Sequence, residues 1–108
     1  MSFKEIQKDV DDWAQQFSPA YWPALEQMAQ LSEEVGEVAR VLNRIHGHKN
    51  AKTEAEIKNL KEELVDVMFP IFCIANREGI DLDSAWKERM QERLYGRDKN
   101  RFNKKENL

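Results

Sequence analysis

The chain contains two similar stretches, LSEEVGEV at residues 31–38 and LKEELVDV at residues 60–67, which are identical at four of eight positions. Each stretch carries a pair of carboxylates spaced three residues apart, Glu34 with Glu37 and Glu63 with Asp66. Side chains three residues apart are neighbours on the surface of an α-helix. Two such helices packed side by side would bring four acids together. Because these acids repel one another, the pattern indicates a metal-binding site.

Apolar residues recur every three or four positions through both stretches, which is the pattern of an amphipathic α-helix. On the first helix, expected from about residue 23 to residue 45, they are Leu31, Val35, Val38, Leu42 and Ile45. On the second, expected to end near Gly79, they are Leu60, Leu64, Val67, Ile71 and Ile74. A helical projection places Glu34 and Glu63 at the edge of these apolar stripes, with Glu37 and Asp66 just beyond on the same side. We therefore expect the acids to converge along one side of the seam between the helices.

The remaining sequence predicts two further helices. Ser2 and Glu5 form a capping box before an apolar stripe that runs to Phe17, and Asp81 caps a shorter helix later in the chain. No alternating strand pattern is present, so we predict an all-α fold, a small antiparallel bundle of four main helices. We expect one domain over residues 1–102 and a disordered tail over residues 103–108.

Bulk properties exclude several classes of function. The formal net charge of -3 and the pI near 5.4 argue against binding to a nucleic-acid polymer. No apolar run approaches the length of a membrane span, so no membrane partner is expected. Cys73 is the single cysteine, which fits a reducing cytoplasm and predicts a small buried side chain.

The donor atoms favour particular metals. Carboxylate oxygens are hard ligands that suit magnesium, manganese or calcium. The only histidines, His46 and His48, fall after the first acidic helix and form no Glu-x-x-His pair, which disfavours a di-iron bundle and zinc. Magnesium commonly bridges to substrate phosphates, so the acids suggest a magnesium–phosphate substrate.

The acidic motifs resemble those of a known family. EEVGE at residues 33–37, followed after 25 residues by ELVD at residues 63–66, is similar to the signature of the all-α MazG nucleoside triphosphate pyrophosphohydrolases. The resemblance covers about residues 25–102, through GIDL at 79–82 and RDKNRF at 97–102. It implies hydrolysis of a nucleoside triphosphate between the α and β phosphates, giving the monophosphate and pyrophosphate. It also implies a homodimer or homotetramer with the pocket near a subunit interface.

The resemblance assigns roles to the acids of the motif. It implies that Glu34, Glu37, Glu63 and Asp66 hold Mg²⁺, for which Mn²⁺ is a possible substitute. It also implies that Glu33 is a catalytic residue that assists the attacking water, although the helical projection places Glu33 near the solvated face.

Aromatic and basic residues complete the expected site. Trp22 and Trp13 are candidates for stacking on the base, with core packing the favoured alternative for Trp13 on its apolar stripe. Arg97, Lys99 and Arg101 are candidates for phosphate binding, against the alternative of a frayed basic tail. The favoured function is a magnesium-dependent nucleotide pyrophosphohydrolase that cleans the nucleotide pool. The alternatives are a nucleotide-binding regulator without turnover and a structural bundle whose acids are surface charge.

Overall fold

The computed structural model describes residues 1–48 and 52–105. Within these ranges the chain forms four α-helices and a π-helical segment: α1 (Phe3–Ala14), α2 (Ala24–His46), α3 (Glu54–Arg77), α4 (Leu82–Glu92) and the π-helical segment Arg93–Arg97. The described residues contain no strand, and the predicted all-α fold is confirmed. The predicted tail lies partly outside these residues, at 106–108. No helix in the described part of the chain is long and apolar enough to cross a membrane.

Side-chain caps fix the starts of three helices. Oxygen atoms of Ser2, Thr53 and Asp81 accept backbone N–H bonds at the starts of α1, α3 and α4. The caps predicted at Ser2 and Asp81 are thereby confirmed. The start of α1 has a second acceptor, because the carboxylate of Asp83 accepts from the first two N–H groups of α1 at 3.1 and 3.2 Å. This contact ties the N-terminus of α1 to the first turn of α4.

A small core and a polar network hold α1 against α3. The core consists of Val10, Phe72 and Cys73, with Phe3, Ile6, Tyr21 and Leu82 packed around it. Beside it, Asn76 of α3 donates to the backbone oxygen of Gln7 at 2.9 Å and to the Tyr21 hydroxyl at 3.1 Å. The Tyr21 hydroxyl donates to Asp11. Burial, reinforced by this bond to Asp11, raises the pKa of Tyr21 to about 12.

The helices α2 and α3 form the most extensive helix pair. They run antiparallel, because Gln27 of α2 bonds to Cys73 of α3 while the later Glu34 lies beside the earlier Glu63.

Val41 and Ile45 of α2 are buried, but two of the five residues in each predicted stripe are exposed. Val35 is 51% exposed and Leu64 is 48% exposed. The two predicted stripes are therefore only partly covered in one copy of the chain. The reason is that a single helix pair has no further layer to cover these flanks.

The first helix is shorter than its apolar pattern predicts. It ends at Ala14, and Phe17 lies in a following turn, where its N–H bonds to the oxygen of Ala14. Ser18 precedes a proline and is disfavoured in helical conformation, which explains the early end. Trp13 is 47% exposed, so the expectation of core packing for this residue is wrong.

Candidate active site

Three of the four predicted metal ligands converge where α2 and α3 pack together. One carboxylate oxygen from each of Glu34, Glu63 and Asp66 lies within 4.8 Å of the other two. Glu34 comes from α2 and the other two from consecutive turns of α3. Glu34 and Glu63 are half-buried, whereas Asp66 is exposed. We refer to these three residues as the acidic cluster.

Glu37 borders the acidic cluster without joining it. Its Oε2 atom lies 3.0 Å from the guanidinium of Arg40, one turn further along α2. The charges of both Glu37 and Arg40 act on Glu63, which places this ion pair next to the cluster. Arg40 is a residue that the sequence analysis missed, although its three-residue spacing from Glu37 is that of a helical ion pair.

The electrostatics of the cluster are unfavourable without a cation. The pKa of Glu63 is raised, first because the carboxyl loses solvent and then because Asp66, Glu34 and Glu37 repel its charge. Arg40 opposes this effect only in part. A cation among these acids would relieve the repulsion.

The donor set fits a hard divalent ion. All of its atoms are carboxylate oxygens, the donors that magnesium, manganese and calcium prefer. Two oxygens on opposite sides of one Mg²⁺ are separated by about 4.2 Å, since each Mg–O bond is about 2.1 Å. The three carboxylate oxygens of the acidic cluster lie within 4.8 Å of one another, which is close to this value. Small side-chain rotations would therefore close the cluster around an ion.

Glu63→Gln is expected to raise the melting temperature of the metal-free protein at pH 7. Because the folded state raises the pKa of Glu63, the carboxylate lowers stability above that pKa and has no such effect once protonated. The gain should therefore disappear as the pH falls to about 3, below the pKa of ordinary glutamate. Melting curves in EDTA across this pH range test the prediction.

Glu62→Gln is the matched control, because Glu62 neighbours Glu63 in sequence but lies exposed beside Lys58. Equal stabilisation by the two substitutions would show that general acidity, rather than the cluster, causes the effect.

An aromatic cavity of about 470 Å³ lies beside the acidic cluster. Its walls include four aromatic side chains, Trp13, Phe17, Trp22 and Phe69. The ring of Trp13 lies 5.0 Å from each of Phe17 and Phe69, between centroids. The two predicted base-stacking tryptophans therefore share one cavity, whereas Trp86 packs elsewhere, 5.6 Å from Phe3.

Both helices connect the cavity to the acidic cluster within about one turn. On α3, Phe69 follows Asp66 by three residues, and on α2, Gln30 precedes Glu34 by four. Gln30 Nε2 donates to Glu34 Oε1 at 2.7 Å. Gln30, Phe69 and the buried Gln27 are lining residues that the sequence analysis missed. For Gln30 and Phe69, the one-turn spacing from an acid was the available signal.

The other predicted site residues lie apart from the acidic cluster. Glu33 is exposed and contributes no atom to it, as the helical projection indicated. Arg97 and Arg101 both pair with Asp98, at 3.1 and 3.5 Å, and Lys99 is exposed between them. The π-helical segment, which ends at Arg97, directly continues α4.

Comparison with known proteins identifies the family. The sequence profile of the MazG nucleotide pyrophosphohydrolase domain matches residues 24–102. The chain belongs to the MazG family. Family membership makes it a hydrolase that acts on phosphoric anhydrides, as the motifs predicted, and MazG proteins depend on a metal ion, for which the acidic cluster is the candidate site.

Individual MazG relatives are similar over almost the whole chain. The uncharacterized protein YpjD of Bacillus subtilis (strain 168) is 39% identical over 105 residues, which cover 97% of this chain and 94% of the relative. A crystal structure of YPJD superimposes with a TM-score of 0.77 at 38% identity, covering 85% of this chain and 94% of that one. The crystal structure of a Bacillus-conserved MazG protein, described as a nucleotide pyrophosphohydrolase, has a TM-score of 0.72 at 34% identity, covering 99% and 95%.

Proposed function

We propose that this MazG protein hydrolyses nucleoside or deoxynucleoside triphosphates between the α and β phosphates, in a reaction that depends on Mg²⁺. The products are the nucleoside monophosphate and pyrophosphate, and Mn²⁺ is a possible substitute for Mg²⁺. The observation that carries this proposal is the position of the acidic cluster about one helical turn from an aromatic cavity. The description of the Bacillus-conserved relative as a nucleotide pyrophosphohydrolase supports it.

In this proposal the acids bind the metal. Glu34, Glu63 and Asp66 would hold the ion, and Glu37 would join them if its ion pair with Arg40 were released. When bound, the ion supplies Lewis-acid stabilisation of the phosphates and a more acidic water. Glu33 is proposed to assist that water, because it belongs to the family motif.

The aromatic cavity is proposed to hold the base. Trp13 and Trp22 offer ring faces for stacking, which is tolerant of base identity because every base has a π-face. Arg97, Lys99 and Arg101 are proposed to bind the phosphates, since guanidinium groups match phosphate geometry. Two of these three are now paired with Asp98, and they would exchange that partner for phosphate oxygens.

We further propose that the protein works as a homodimer or homotetramer. The radius of gyration is 17.7 Å, whereas a compact chain of this length has a radius of about 13 Å. Large apolar side chains are exposed along α2 and α3, among them Leu25, Met28, Val35, Val65 and Met68. A second copy that covers these residues would remove apolar surface from water.

The proposed setting is the cytoplasm, where the enzyme would clean the nucleotide pool. The acidic composition supports a free nucleotide, rather than a nucleic-acid polymer, as the substrate. The single buried thiol of Cys73 is compatible with a reducing compartment.

The decisive experiment measures the products from a panel of ribo- and deoxyribonucleoside triphosphates with Mg²⁺. Pyrophosphate is detected as phosphate released only when inorganic pyrophosphatase is added, and the monophosphate is identified by chromatography. Orthophosphate without added pyrophosphatase would contradict cleavage between the α and β phosphates. Nucleotide binding without products would indicate the regulator, and neither binding nor products would indicate a structural bundle.

A further inference from the structure

Gln30 belongs to the wall of the aromatic cavity and also contacts the acidic cluster. Its side-chain Nε2 donates to Glu34 Oε1 at 2.7 Å. An ionised carboxylate can only accept hydrogen bonds, so the NH₂ end of the amide must face Glu34. The carbonyl oxygen of Gln30 is then the end of the amide available to other partners.

Gln27 provides an internal comparison. It lies one turn earlier on α2, lines the same cavity and is buried, with 6% of its surface exposed. Its side chain hydrogen-bonds to the thiol of Cys73 rather than to an acid. Two glutamines therefore share one wall, and Gln30 is the one that bonds to the acidic cluster.

We propose that Gln30 is a positioning residue that holds Glu34 ready to bind the metal ion while forming the adjoining wall of the cavity. This inference rests on the proposed function, because it takes the acidic cluster as the metal site. The bond to Gln30 restricts the rotation of the Glu34 carboxylate about its side-chain torsions. It also leaves Glu34 Oε2 without this restraint and available to the ion.

The expected size of the effect follows from comparable partners of metal ligands. Removing a hydrogen-bond partner of a ligand commonly weakens metal affinity by about 10- to 100-fold. Gln30 is only partly buried, and a single uncharged amide donates the bond, so we expect the lower end of that range. Gln30→Met removes the donor and nearly conserves the volume of the side chain. Gln30→Asn keeps an amide but is too short by one methylene group to make the same contact.

The test is a titration of nucleotide-free protein with Mn²⁺, followed by electron paramagnetic resonance of the free ion. Gln30→Met and Gln30→Asn are each expected to bind Mn²⁺ about tenfold more weakly than wild type. Gln27→Met, which alters the same wall without touching Glu34, should keep the wild-type Mn²⁺ affinity. Circular dichroism and melting in EDTA establish that each variant is folded.

A second readout separates positioning from a general loss of structure. During turnover, excess Mn²⁺ should restore most of the kcat of Gln30→Met, because the defect lies in filling the metal site. A defect in kcat that persists at saturating Mn²⁺ would overturn the proposal. Unchanged Mn²⁺ affinity in both Gln30 variants, or an equal loss in Gln27→Met, would also overturn it.

Failure of this inference can be told apart from failure of the proposed function. Wild-type protein that releases pyrophosphate, with unaltered Mn²⁺ affinity in the Gln30 variants, would refute only the role of Gln30. Wild-type protein that binds Mn²⁺ in a manner dependent on Gln30 but hydrolyses no nucleotide would refute only the proposed function.

Discussion

Asp66→Asn is expected to reduce turnover about a thousandfold or more, which corresponds to about 4 kcal/mol of transition-state stabilisation. The side-chain oxygen of Asp66 lies within 4.8 Å of those of Glu34 and Glu63, so its charge contributes directly to the proposed metal site. An amide keeps the shape but loses that charge, and a bound ion supplies several kcal/mol to reactions of this kind. Release of pyrophosphate measures the loss.

The fold of this variant should remain intact, because Asp66 is exposed on α3. Its helical circular dichroism should match wild type. Mg²⁺ at ten times its dissociation constant should stabilise wild type by about 1.4 kcal/mol. That corresponds to a rise in melting temperature of roughly 6 °C, whereas the variant should show little rise at the same concentration.

Glu62→Gln is again the matched control and should retain turnover within about twofold, since surface substitutions away from special features have small effects. Near-normal turnover in Asp66→Asn would remove the acidic cluster from the mechanism. Loss of helicity in that variant would reassign Asp66 to a structural role.

Trp22→Ala is expected to raise KM for nucleoside triphosphates roughly tenfold or more, with little change in kcat. Stacking of one base on an aromatic side chain contributes about 1–3 kcal/mol. Trp22 is 51% exposed on the cavity wall, so its removal should affect the substrate more than the fold. Steady-state kinetics at saturating Mg²⁺ measure both constants.

Trp86→Ala is the matched control for this substitution. Trp86 is 60% exposed and packs against Phe3, away from the cavity. Trp86→Ala should leave KM unchanged, although the loss of packing against Phe3 can lower the melting temperature. An equal rise in KM for both variants, or a fall in kcat alone for Trp22→Ala, would contradict base binding in the cavity.

Local sequence rules account for most of the fold. The caps at Ser2, Thr53 and Asp81 mark helix starts because each side chain satisfies a nearby N–H group within a few residues. The convergence of Glu34 with the two acids of α3 was also predictable. Equivalent positions on two amphipathic helices face each other once the apolar stripes pack.

Features that depend on the tertiary arrangement were not predictable in the same way. Glu37 has two possible partners, the acidic cluster and Arg40. Which of them it contacts depends on the positions of all the neighbouring charges. The cavity needs Trp13 from α1 beside Phe69 from α3, an adjacency of residues far apart in sequence. The four-residue spacing of Gln30 and Glu34 is common in helices, so the sequence alone does not show that their bond lies beside a cavity.

The antiparallel course of α2 and α3 also determines which changes of length the site can tolerate. Glu34 lies twelve residues before His46, the end of α2, so the link between the two helices begins roughly 18 Å from the acids. Insertions or deletions in that link would therefore leave the acids opposite each other. One residue added between Glu63 and Asp66 would instead rotate the second acid by about 100° around the helix. Searches for distant homologues should accordingly permit a variable gap between the two acid pairs and a fixed spacing within each.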